Sequence, residues 1–73
     1  MEYTVVLHPA EEGGYWVEVP AFPGCYSQGE TVEESMANAR EAIETHIEAL
    51  KEDRQLISKE EGFMFGRVGV ATA

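Results

Sequence analysis

The run from Gly13 to Ser35 leaves this chain few ways to fold. Two turn signals bracket short aromatic-bearing strands there, and the run passes directly into a capped helix. Gly13-Gly14 precedes Tyr15-Trp16-Val17-Glu18-Val19, whose alternation is that of a half-buried strand. Pro20-Ala21-Phe22-Pro23-Gly24 is a rigid turn, because each proline fixes φ and Gly24 accepts positive φ without steric cost. A third short strand is expected from Cys25 to Gln28, and Gly29-Glu30-Thr31 then opens a helix.

Upstream, Glu2 to His8 also alternates, with Tyr3, Val5 and Leu7 on one face and Thr4, Val6 and His8 on the other. Pro9 cannot donate a ladder hydrogen bond and is expected to end that strand. Thr31 is the expected N-cap, with Glu34 three residues on to complete a capping box. Val32, Met36, Ala39, Ile43, Ile47 and Leu50 then recur at steps of three or four, which predicts a helix from Val32 to Glu52. Of these, Val32, Ile43, Ile47 and Leu50 are expected to be buried against the sheet. A last strand is expected within Phe63–Val70, where Gly66 and Gly69 allow a bulge. The expected fold is α+β, in the order β-β-β-α-β: one mainly antiparallel sheet with a single long helix packed on one face, forming one domain over residues 1–73.

Seventy-three residues bury only about 60% of their unfolded surface, so the core is marginal by itself. Cys25 is the only cysteine, which excludes an intrachain disulfide, and no Cys/His cluster has zinc-site spacing. No cofactor is expected. Self-association is the remaining route to stability, so a homodimer or higher oligomer is expected. No apolar run approaches the roughly 20 residues of a membrane span, and the acidic start is unlike a signal peptide. With one unpaired cysteine, the cytoplasm is the expected compartment. Fourteen acids against five bases give a formal charge of −9, a field that repels phosphate backbones and draws in basic proteins. Direct nucleic-acid binding is therefore not expected.

Catalytic groups are sparse. Cys25 has no histidine near it in sequence, and a lone cysteine beside a turn is usually a small buried side chain. His8 at a strand end and His46 on the helix are more often structural than ligating. The pairs Glu11-Glu12, Glu33-Glu34 and Glu60-Glu61 are adjacent, and adjacent carboxylates do not converge as an acid–base pair does. Lys51, Arg54 and Lys59 form a small basic group that complements the helix C-terminus. No enzymatic activity is expected.

One helix covers one face of a sheet. If Val17 and Val19 face it, Val6 and Trp16 point away, onto a surface suited to a partner or a second copy. Glu18 shares that face, and Glu11 and Glu12 lie in the first loop, so these three acids are the expected contacts for a basic partner.

Several spaced motifs together resemble the HicB-like antitoxins of prokaryotic toxin–antitoxin pairs. They are Gly13-Gly14-Tyr15, Val19-Pro20-Ala21-Phe22-Pro23-Gly24-Cys25, Gln28-Gly29-Glu30-Thr31 and the Glu-rich helix from Val32 to Leu50. The resemblance covers about the first fifty residues. It implies a non-enzymatic domain that binds and masks a small basic mRNA-cleaving toxin of the HicA type. It also implies a fold like a reduced ribonuclease-H-like unit without that fold's metal-binding carboxylates. The resemblance does not extend to the C-terminal DNA-binding segment that longer members of that family carry, so direct promoter binding is not expected. The alternative expectation is a stand-alone structural or regulatory homo-oligomer with no toxin partner.

Overall fold

Residues 1–60, 62 and 64–72 are described by a computed structural model. Three strands, β1 (Val6–Pro9), β2 (Tyr15–Glu18) and β3 (Tyr26–Gly29), are followed by one helix, α1 (Val32–Glu52). The strands form an antiparallel meander in the order β1-β2-β3. Leu7 pairs with Val17, His8 with Trp16, Trp16 with Gln28 and Glu18 with Tyr26. The α+β class and the helix limits agree with the expectation from sequence.

Both turns form as their residues dictate. Gly13 and Gly14 take φ of 101° and 73°, and the Gly13 amide donates to the Ala10 carbonyl at 3.1 Å. Pro9 closes β1 as its last residue, opposite Tyr15. In the second turn the Phe22 amide donates to the Val19 carbonyl and the Cys25 amide to the Phe22 carbonyl, at 3.0 and 2.9 Å. These two linked turns drop Phe22 into the interior, where it forms the core with Val19 and Cys25. Tyr3, Val5, Ile43, Ile47, Leu50 and Ile57 pack around that cluster, half-buried.

Thr31 caps α1, its hydroxyl accepting from the Glu34 amide at 3.1 Å. The Glu34 carboxylate reaches back to the Glu30 amide at 3.3 Å, one residue earlier than the capping box places it. At the other end Gln55 N–H donates to the Leu50 carbonyl and Arg54 N–H to that of Lys51, which is a Schellman closure. Arg54, expected only as part of a basic group, occupies its left-handed position with φ 56°.

Two expectations about α1 and the segment after it need correction. The first turns of α1 do not present Val32 and Met36 to the sheet; both are about half exposed, and Ser35 and Ala39 are buried instead. The cause is close approach: a Cβ on Gly29 would lie 2.6 Å from the Ser35 nitrogen. Only small side chains fit where helix and β3 nearly touch, so the helix is rotated away from its bulkier stripe. The second correction concerns the last strand. Phe63 lies outside the described residues, and residues 64–70 carry no strand, with Met64, Val68 and Val70 at least three-quarters exposed. A strand needs a paired neighbour, and among the described residues none lies beside this segment.

After α1 the chain turns back toward its own beginning. The Tyr3 hydroxyl donates to the Ser58 carbonyl at 2.8 Å. The Glu60 carboxylate accepts from both the Thr4 amide and the Thr4 hydroxyl, at 2.6 and 2.8 Å. Tyr3 to Val5 is thereby held without being part of β1, which begins at Val6 rather than at Glu2.

A candidate partner-binding face

Register and burial together decide which residues face away from the helix. Val17 is fully buried, so its β1 and β3 partners Leu7 and Ser27 share the helix side. The opposite face then carries Val6 and His8 from β1, Trp16 and Glu18 from β2, and Tyr26 and Gln28 from β3. Three rings cross it, one per strand. His8 stacks on Trp16 with centroids 4.1 Å apart and planes 14° from parallel, and Trp16 meets Tyr26 at 6.2 Å. Cross-strand aromatic pairs of this sort stiffen a sheet face.

Val6, Trp16 and Glu18 therefore lie together, as the alternation predicts. Trp16 is 40% exposed, its ring being partly screened by His8 and Tyr26. Glu18 bonds His8, Oε1 to Nε2, at 3.1 Å across the sheet diagonal. Both groups are more than a third exposed, so this pair positions the ring and adds little to stability. Glu11 and Glu12 stand exposed in the turn between β1 and β2. A depression of about 370 Å³ opens beside that turn, lined by Glu12, Trp16, Gln28, Glu30, Glu34 and Asn38 among others. An aromatic ring with carboxylates around it suits a guanidinium or ammonium group, through cation–π attraction and charge pairing.

His8, Tyr26 and Glu30 were not among the contacts expected from sequence. The signal for Tyr26 and Gln28 was present in the alternation of β3, but one residue of uncertainty in where that strand starts hides their side. Glu30, just after β3, and Glu34, in the first turn of α1, reach the rim only through the tertiary fold, so no local pattern announces them.

The remaining polar candidates do not converge on chemistry. Cys25 is buried in the core, and desolvation pushes its thiol up, the opposite of what a nucleophilic thiolate needs. The His46 ring packs on Phe22 at 4.9 Å. Glu60 braces the N-terminal segment, and its neighbour Glu61 lies outside the described residues. Among the described residues no three histidine, cysteine or acidic side chains gather at metal-binding distance, and no helix is long and apolar enough to cross a membrane.

Residues 3–63 match the family described as the HicB-like antitoxin of bacterial toxin–antitoxin systems. A UPF0150 protein of Thermoplasma acidophilum is 45% identical over 60 residues, covering 82% of this chain and 87% of that one. The antitoxin HicB of Escherichia coli K12 is 46% identical over 57 residues, covering 78% of this chain and 41% of its own length. The crystal structure of the Burkholderia pseudomallei antitoxin HicB superposes with a TM-score of 0.76 at 35% identity, over 86% of this chain and 48% of that one. The chain thus spans less than half of the named HicB proteins it resembles.

Proposed function

Because this chain belongs to the HicB-like antitoxin family, we propose that it binds and neutralises a small basic mRNA-cleaving toxin of the HicA type, as a cytoplasmic protein without enzymatic activity of its own. The observation that carries this reading is the helix-free sheet face, where Trp16 and its flanking rings are bordered by Glu18, Glu12, Glu30 and Glu34. Val6 extends its apolar centre, and Glu11 extends its acidic margin. A basic toxin would set an arginine or lysine over Trp16 and pair other cations with the rim. Masking such a surface silences an RNA-cleaving protein directly, because the same cations are needed to hold the phosphate backbone. The charge of −9 makes nucleic acid itself a poor partner for this chain.

The test is binding to a purified, cleavage-inactive HicA-type toxin. Trp16→Ala should weaken the complex by about 2 kcal/mol or more if the ring is the central anchor. Glu11→Lys/Glu12→Lys should leave the fold intact and slow association at low salt. Unchanged affinity with Trp16→Ala would remove this face from recognition, and failure to bind any HicA-type toxin would end the antitoxin reading. One observation favours the second reading, a stand-alone homo-oligomer: the apolar residues Met64, Val68 and Val70 stand in solvent.

A further inference from the structure

Two structural features play no part in toxin binding by the open face: a free sheet edge with a groove beside it, and a segment whose Met64, Val68 and Val70 stand in water. The two edges of the sheet differ. On β3, the Asn38 side chain donates to the Gln28 carbonyl at 2.8 Å, so the helix partly covers that edge. β1 is the other edge, and among the described residues no strand lies beyond it. α1 packs on β3 and β2, which leaves a groove of about 570 Å³ between the helix and the N-terminal run into β1. Val5, Met36, Ala39, Ile43 and Ile47 line it, together with the charged side chains of Glu2, Arg40 and Glu44. Met36, on the groove, is half exposed.

The segment Met64–Thr72 has a complementary pattern. Met64, Gly66, Val68 and Val70 fall on one side of an extended chain, and Phe65, Arg67 and Gly69 on the other. Met64, Val68 and Val70 are 95%, 86% and 77% exposed. The chain reaches the start of β1 at Glu60, where Thr4 holds it, and Gly62 then takes φ 87°. The whole molecule is 51 Å long with a radius of gyration of 14.8 Å, where about 11 Å is expected for a compact domain of this length. An arm with exposed apolar side chains, reaching out of a body that has a groove beside a free sheet edge, is the geometry of exchange between identical copies.

We infer that two copies of this chain exchange these arms, Met64–Thr72 of each lying along β1 of the other as a fourth strand. Backbone hydrogen bonds then satisfy the free edge of β1, and Met64, Val68 and Val70 fill the groove against Met36 and Ile43. Each copy gives one arm and receives one, so the contact closes as a two-fold dimer and does not propagate. It leaves the face bearing Trp16 open on both copies. Nothing in the exchange requires a toxin, so it stands or falls separately from the antitoxin function.

Sedimentation velocity of the chain alone should show a dimer at micromolar concentration. Val68→Asp/Val70→Asp should lose the dimer and keep the helical far-ultraviolet signal, since both side chains stand in solvent on a single copy. A mixture of isotope-labelled and unlabelled wild-type copies should give filtered NOEs between the Val68 and Val70 methyls of one copy and those of Ile43 and Met36 of the other. This measurement decides the matter even if the double-aspartate variant does not fold. A monomeric wild type, a dimer that survives both aspartates, or methyl contacts confined to one copy would overturn the exchange.

Discussion

Gly29 is the point where strand and helix come closest, and the reason is visible atom by atom. A methyl group there would sit 2.6 Å from both the nitrogen and the hydroxyl of Ser35. One strand away, a Cβ on Gly14 would lie 2.6 Å from the Gly29 carbonyl oxygen, and Gly14 also needs its φ of 73°. Ser35 itself tolerates full burial because its hydroxyl donates to the Thr31 carbonyl at 2.7 Å. Gly29→Ala must therefore push α1 off β3, and we expect a loss of about 1–3 kcal/mol, the usual cost of overpacking. Gly13→Ala meets no atom within 4 Å, so it isolates the cost of positive φ alone. A urea midpoint for Gly29→Ala equal to that of wild type would refute the close approach. That Gly29 belongs to a turn-to-helix motif was legible in the sequence. That it forbids a side chain was not, because its neighbour Ser35 is brought against it only by the folded helix.

At the scale of elements, α1 was the most legible part of the chain. Its start is written locally by Thr31 and by the acids Glu33 and Glu34 in the first turn, and its end falls at Glu52 as expected. What closes it was hidden, because arginine is a poor residue for a left-handed position and gives no stop signal. Arg54 stays at φ 56° because the two Schellman hydrogen bonds need it there. We expect Arg54→Gly to be more stable than Arg54→Ala by about 1 kcal/mol in chemical denaturation. Both variants remove the same charge from the helix C-terminus, so their difference reports the backbone alone. Equal stabilities would mean that the Schellman closure does not hold in solution. The strands were legible in number and facing but not in extent. β1 lost its first residues to the brace made by Ser58 and Glu60, which lie more than fifty positions away in sequence.

For the molecule as a whole, charge and shape act over different ranges. The charge of −9 is spread over a small body, so it guides encounter from a distance, while the rings of the open face act only on contact. Association with a basic toxin should therefore slow steeply as salt rises, with dissociation changing much less. Stopped-flow rates across a salt series check this; association rates independent of salt would mean that the acids take no part in encounter. Self-association through the C-terminal arm should respond oppositely, holding or strengthening as salt rises, because its contacts are apolar and the copies repel one another.

Local chemistry is what the sequence alone determined: the two turns, the meander, the capped helix, and the facing of Val6, Trp16 and Glu18. Each of these depends on neighbours within a few residues, through fixed φ, hydrogen bonds along the chain, or the two-residue period of a strand. The tertiary structure decided everything that depends on which distant atoms share a space. It turned the helix onto Ser35 and Ala39 because Gly29 admits nothing larger. It gathered His8, Trp16 and Tyr26 from three strands into one aromatic face. Among the described residues it also placed no strand beside Met64–Val70, since a strand's hydrogen bonds belong to its partner as much as to its own residues.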